Sequence, residues 1–526
     1  MNHSTRLAIT LAAAAVPGLA SAQLTWVGNQ YWHQDSDGLA ETAEASDQFG
    51  HTQAFGDFNG DGFLDAAIGS PEESLGAAVQ TGMLHIVYGS SDGLVTTNSR
   101  LFHQGQLDGI GDVAEIGDRF ASALAVGNFD GDEYDDLVIG IPNEDLGAVA
   151  DAGQVTIIYG DAPGLISANA ITITQADVGG VSEAGDLFGF SLATGDFGND
   201  GFDDLVIGSP GEGFGAAPSN AGVVTEIYGR SSGLNLALSV EWNQDSPGIE
   251  GEAMQDDLFG WTLLTADFNG DLRDDLAISA IGEAVGSQTM AGPAGAVNVI
   301  YGGNIGLGSP GNQLWSQDTP GVEGVAEAGD EWGWSLAAAD FDGNERDDLV
   351  VGSRFEPVGS REMAGAVQVF YSNAAGVSTT DVIINGDFPG LPGAAVEGDW
   401  FGQAVAAGDF DNDGFGDLAI GIPFDDIGTM VLDAGQVQIL YGRVTGLDTN
   451  RNQRWSQNSR YVLGVAETGE AFGSSLVAAD INNDGFTDLS VGVIGDLIGD
   501  KDAVDGGAIN ILFGADVVFA DDFGPF

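Results

Sequence analysis

Seven acidic nonapeptides place oxygen-bearing side chains at positions 1, 3, 5 and 9, with a glycine at position 3 of the third, a spacing that brings alternate residues of a short loop to one centre. Hard cations such as calcium need six to eight oxygens, and a loop of this kind supplies them from those side chains and from the backbone carbonyl at position 7. In the first loop, DFNGDGFLD, the ligands are Asp57, Asn59, Asp61 and Asp65 with the carbonyl of Phe63, and Gly62 permits the sharp turn. The same frame assigns Asn128, Asp130, Asp132, Tyr134 and Asp136 in the second loop, and Asp196, Asp200, Phe202 and Asp204 in the third. It assigns Asp267, Asn269, Asp271, Arg273 and Asp275 in the fourth, and Asp340, Asp342, Asn344, Arg346 and Asp348 in the fifth. The sixth offers Asp409, Asp411, Asp413, Phe415 and Asp417; the seventh offers Asp480, Asn482, Asp484, Phe486 and Asp488.

These loops are unequal, because affinity follows the number and charge of the ligands. Loop six is strongest, with four carboxylates, and loop three is weakest, with Gly198 at position 3. Asn128 opens loop two and Asn344 sits at position 5 of loop five. Loops two, four and five carry Glu133, Leu272 and Glu345 where glycine would make the turn comfortable. The expected role is structural. The chain has no cysteine, so an exported protein of this composition lacks the usual disulfide reinforcement, and up to seven calcium ions would replace it.

The elements that position the loops repeat about every 70 residues. An aromatic-Gly pair or its variant precedes each loop, beginning at Phe49, Phe120, Phe188, Phe259, Trp332, Phe401 and Phe472. Unit five reads WGWSLAAADF, DLVVGS, GAVQVFYS and DVIING, four β-rich runs separated by turn residues. Four antiparallel strands per unit, seven times, predict an all-β fold: a seven-bladed β-propeller. The fourth-strand motif NQYWHQD occurs ahead of the first unit, at Asn29–Asp35, while the last unit ends after GAINILFG. The N-terminal strand is therefore expected to complete and close the last blade. The expected organisation is a signal peptide over 1–22, the propeller over 23–514 and a tail over 515–526.

The aromatic-Gly pair, the DxDxDG-like loop and a GxP element (Gly69-Ser70-Pro71, Gly140-Ile141-Pro142, Gly208-Ser209-Pro210 and Gly421-Ile422-Pro423) together resemble FG-GAP repeats. These are the repeats of the integrin α-subunit N-terminal propeller and of exported bacterial proteins. The resemblance implies that the acidic loop joins strands 1 and 2, on the face away from the usual ligand surface. No inserted domain and no D-x-S-x-S motif occurs, so the integrin's ligand does not carry over.

Charge narrows the partners. Thirteen basic residues face 80 acidic ones, a net charge of -67, which repels nucleic acid and anionic membranes and favours cations. Arg6, the apolar run Leu7–Leu19 and Ala20-Ser21-Ala22 read as a secretory signal. No later stretch is long enough for a membrane span. The expected product is a secreted or cell-surface monomeric ring, with a periplasmic location open, that meets an extracellular protein or polysaccharide.

Catalytic patterns are weak. Gly89–Gly93 and Gly229–Gly233 fit G-x-S-x-G, but Gly160–Gly164 and Gly442–Gly446 show that the glycines belong to a repeated hairpin. His3, His33, His51, His85 and His103 lack zinc spacing. Trp32, Trp242, Trp315 and Trp455 recur in the fourth strand, while Trp261, Trp332, Trp334 and Trp400 flank the first; packing between blades is their expected role, with sugar stacking the minority reading. The reading is accordingly a calcium-binding adhesion or binding module and not an enzyme. Its alternative is an extracellular polysaccharide-degrading lyase or glycosidase, for which polar residues particular to single units should surround the centre of the ring.

Overall fold

A computed structural model describes residues 23–106, 113–213, 219–285, 293–498 and 504–515. The signal peptide expected over 1–22 and residues 516–526 of the expected tail lie outside the described residues.

Seven four-stranded antiparallel sheets follow one another along the chain. Blade one is Thr52–Gly56, Asp65–Ser70, Met83–Tyr88 and Val95–Phe102, and blades two to six repeat the same order. Blade seven is composite: Phe472–Ala479, Asp488–Val493 and Ala508–Ala515 are completed by Gln23–Trp32. Gln23 pairs with Ala515 and Trp32 with Ile509, across a register shift between Thr25 and Gln30. Both ends of the described chain thus share one sheet, and no blade edge is left open there.

Burial explains the strand sequences. Every second strand is buried along all six residues, as in DLVIGI at Asp136–Ile141, because neighbouring blades cover both of its faces; such strands read as unbroken apolar runs. First strands alternate instead, as in Ala123–Gly127. The core lies between blades. Phe58, Phe120 and Ile139 join blades one and two, Phe129, Phe188 and Leu205 join two and three, and Phe49, Ile68, Ile481 and Ile509 close seven onto one. Each buried aromatic contributes about 1.5–3 kcal/mol, and no blade could bury these faces alone.

The glycine of the GxP element sits where blades come closest. A Cβ on Gly140 would lie 2.1 Å from the carbonyl oxygen of Gly189, in the aromatic-Gly pair of blade three. Hydroxyls finish the seam: Thr52 Oγ1 donates to the Ala121 carbonyl at 2.7 Å, Ser191 Oγ to Gly260 at 2.6 Å and Ser475 Oγ to Gly50 at 2.7 Å.

Candidate functional site

Each acidic loop joins the end of a first strand to the start of a second, at one end of the ring. Within loop one, Asp57 accepts the backbone N–H groups of Asp61 and Gly62 at 3.0 and 2.8 Å, and Asp61 accepts that of Phe63 at 3.1 Å. These bonds turn the side chains of positions 1 and 5 inward. Asp65, at position 9, takes N–H groups from Phe58 and, across the blade, from Gly89 at 2.8 Å. Its counterparts Asp136, Asp204, Asp275, Asp348, Asp417 and Asp488 receive the equivalent bond from strand 3. Close packing at this point accounts for the first glycine of the hydrolase-like pattern: a Cβ on Gly89 would meet the Leu64 oxygen at 2.4 Å.

Gathered, buried carboxylates resist ionisation unless a cation joins them. Burial first, and neighbouring acids next (those of the same loop, and for Asp204 chiefly Glu226), push Asp65 and Asp136 up to about 7 and Asp204, Asp275, Asp348, Asp417 and Asp488 to about 8, against the backbone N–H bonds that lower them. In loops five and six, one oxygen each from Asp340, Asp342 and Asp348, and from Asp409, Asp411 and Asp417, lie within 4.8 Å of one another. Acidic clusters able to hold a metal ion are therefore present. Leu272 and Glu345 make their turns with φ of 67° and 65°, the strained conformation expected where glycine is missing, whereas Glu133 of loop two, for which the same was expected, has no positive φ.

Three features escaped the sequence. Asp135, Asp203, Asp274 and Asp347, at position 8, accept the N–H of position 1 in the preceding loop at 2.7–3.0 Å, so adjacent loops are linked. The repeated Asp-Asp ending of loops two to five was the visible signal. Arg451 pairs with Asp411 and, at 3.3 Å, with Asp413, placing a competing cation on the loop with the most carboxylates. Replacing it, Arg451→Ala, is expected to tighten calcium binding at that loop several-fold, as read by titration; unchanged affinity would show that the guanidinium does not compete.

The third feature lies at the opposite end of the strands, around the axis. The residue after each aromatic-Gly pair faces this mouth, and its type varies around the ring: His51, Ser122, Phe190, Trp261, Trp334, Gln403 and Ser474. Phe190, Trp261 and Trp334 stack in succession, with ring centroids 4.5 and 5.5 Å apart. Arg354, standing where other units have the GxP proline, lies 3.1 Å over the Trp334 ring and also faces Phe355 and Trp400. Trp400 continues to Phe424 at 4.5 Å. Glu331 holds Arg354 at 2.9 Å and Gln403 accepts from it at 3.3 Å. On the other side, Arg119 pairs with Glu72 at 3.0 Å, and His51 lies in the field of both. Trp332 is buried, as expected of a packing residue, while Trp261, Trp334 and Trp400 remain half-exposed.

A sequence profile described as FG-GAP repeat matches residues 49–87, 120–158, 188–225, 332–370 and 401–440. This is an FG-GAP repeat propeller. Units four and seven fall outside those matches but fold into the same blade. The propeller is 33% identical over 189 residues to phosphatidylinositol-glycan-specific phospholipase D of Bos taurus, which is 36% of this chain and 21% of that one. The corresponding Dictyostelium discoideum protein is 30% identical over 48% of this chain and 26% of its own length. Human integrin alpha-IIb is 27% identical over 56% of this chain and 25% of its own. The FG-GAP propeller thus spans about a fifth to a quarter of the length of these relatives. A rhamnogalacturonan lyase structure aligns over 90% of both chains at 12% identity with a TM-score of 0.34, too loose to bear on function. The expectation of a non-enzyme is corrected by these findings, since the phospholipases D among the relatives are enzymes. Acid-rich loops had drawn attention to stability, and the ring of unit-specific residues at the mouth had no signal within any single repeat. Among the described residues, no helix is long and apolar enough to cross a membrane.

Proposed function

We propose that this FG-GAP propeller is an extracellular enzyme that holds and cleaves a neutral glycan polymer at the axial mouth, while calcium in the loops at the other end keeps the ring folded. The observation that carries this reading is the half-exposed arc of Phe190, Trp261, Trp334 and Trp400 interleaved with Arg354. Aromatic faces offer apolar, electron-rich platforms at low entropic cost, suited to the C–H faces of pyranose rings, and an arc across several blades suits a chain of sugars better than a single one. The arc shares its rim with His51, Glu72, Arg119 and Glu331, groups that can donate or accept protons. Crowding by surrounding protein lowers the basicity of His51, leaving a neutral imidazole available as a base near neutral pH. The net charge of -67 argues against a polyanionic substrate. Similarity to proteins named for a glycan-bearing lipid supports the class of ligand, and the signal-like N terminus supports the location.

Affinity electrophoresis against a panel of neutral polysaccharides tests the arc. Trp334→Ala and Trp261→Ala are each expected to weaken retention by roughly 10-fold or more, since losing one stacking platform costs about 1–3 kcal/mol by analogy with base–aromatic stacking. The melting temperature should stay unchanged. Equal retention of both variants on every retained glycan would refute the arc as the binding surface.

A further inference from the structure

At the mouth end, every blade carries an acid just before its first strand and another just after its second. In blade one these are Asp47 and Glu73; in blade three, Asp186 and Glu212. A third acid, Glu44 or Glu183, joins each pair, and one oxygen from each member of the trio lies within 4.8 Å of the others. That spread fits within the width of a calcium coordination sphere, twice about 2.4 Å. Acidic clusters alone are common, and two further observations bear on these; the glutamine of the first recurs with the same orphaned oxygen as Gln104, Gln244, Gln317 and Gln457 in blades two, four, five and seven, and among the described residues a third acid joins it only in blades one and three.

The first is a glutamine aimed into each cluster from the turn after the preceding fourth strand. Gln34 and Gln175 donate from Nε2 to Glu73 at 2.5 Å and to Glu212 at 2.6 Å. Both side chains are more than nine-tenths buried, and the amide oxygen of each has no partner. A buried orphan oxygen costs free energy, and a half-turn of the amide would bring it to the carboxylates, which is favourable with a cation or a proton between them.

The second is blade six. There the glutamine position holds Gly386, and the acids are Asp399 and Asp425. The guanidinium of Arg454 pairs with Asp425, lies in the field of Asp399 and lines one cleft with Gly386 and Asp399. Where the glutamine is lost, the protein has installed a cation of its own.

We infer that blades one and three hold a second class of divalent-cation site on the mouth face, formed by Gln34, Glu44, Asp47 and Glu73 and by Gln175, Glu183, Asp186 and Glu212. Three carboxylates and an amide oxygen are hard donors suited to calcium, and the exposed Glu44 and Glu183 leave room for water in the sphere. Site one lies at the seam where the N-terminal strand closes the ring, because Gln34 follows that strand by two residues. These sites are independent of both the acidic loops and the glycan reading.

Crystals of the whole protein grown in calcium and measured at long wavelength locate the ions by anomalous scattering. Peaks are expected between Asp47 and Glu73 and between Asp186 and Glu212, with none between Asp399 and Asp425. Peaks confined to the acidic loops would overturn the inference. In solution, the Glu73→Gln, Glu212→Gln double variant should bind two fewer calcium ions per chain by equilibrium dialysis than the parent. A count equal to the parent's would also overturn it, and a parallel Asp65→Asn variant reports separately on the loops.

Discussion

Chelating calcium is expected to lower the melting temperature of the ring by about 3–10 °C from its value in 1 mM calcium, in a single cooperative step. With dissociation constants of ~10⁻⁴ to 10⁻³ M, seven sites together stabilise the folded state by roughly 3–10 kcal/mol. A ring of this size unfolding as one unit has an unfolding entropy near 1 kcal/mol per degree, taking about 2 cal/mol/K per residue. The pH dependence should change sign with the ion. In chelator, the position-9 aspartates have folded values of about 7 to 8, well above their unfolded value near 3.9. Their protonated forms therefore favour folding below about pH 4, and that contribution is lost as pH rises through 8. His33, His51, His85 and His103 act oppositely, since burial lowers them, His85 to about 4, and their contribution is lost as pH falls, but they are four groups against seven. The ion-free ring should thus melt higher at pH 5 than at pH 8. In excess calcium the order should reverse, because the ion requires ionised carboxylates. Differential scanning calorimetry at the two pH values, with and without chelator, reads all four conditions; an unchanged melt in chelator would sink the role of the ions as staples.

Deleting Gln23–Trp32 is expected to have a still larger effect. Leu24 is 1% exposed within the core shared by blades six and seven, Tyr31 donates to Asp496 at 2.8 Å, and Gln30 accepts from the Leu94 N–H of blade one at 2.9 Å. Without this strand, Ala508–Ala515 becomes an open edge bearing Ile509, Ile511 and Phe513, a template for pairing between molecules. The truncated chain should aggregate or melt at least 10 °C lower by size-exclusion chromatography and calorimetry. A monomeric chain with the parent's melting temperature would show that closure contributes little.

Much of this fold was legible because a repeat shows the same residue in seven contexts. The fully apolar second strands, the acidic loops and the displaced fourth-strand motif at Asn29–Asp35 each pointed to their place in the ring. What stayed hidden depends on contacts between repeats. Asp135 and its counterparts looked like spare acids until the preceding loop's backbone N–H was seen against them. Arg451 is 40 residues from Asp411, and nothing in the spacing brings them together. Trp332 and Trp334 are two positions apart, yet one is buried and the other lines the mouth. The arc escaped for the same reason: it draws its residues from four blades, about 70 positions apart, and appears only when equal registers bring them to one rim.

The most direct test of the proposed function is the chain length of neutral polysaccharides after incubation with the calcium-loaded protein, measured by size-exclusion chromatography with light scattering. Shortening of at least one polymer by the parent protein, at least 10-fold slower with Trp334→Ala, is the predicted result. Undiminished chain length across the panel, with calcium bound and the ring folded, would contradict it.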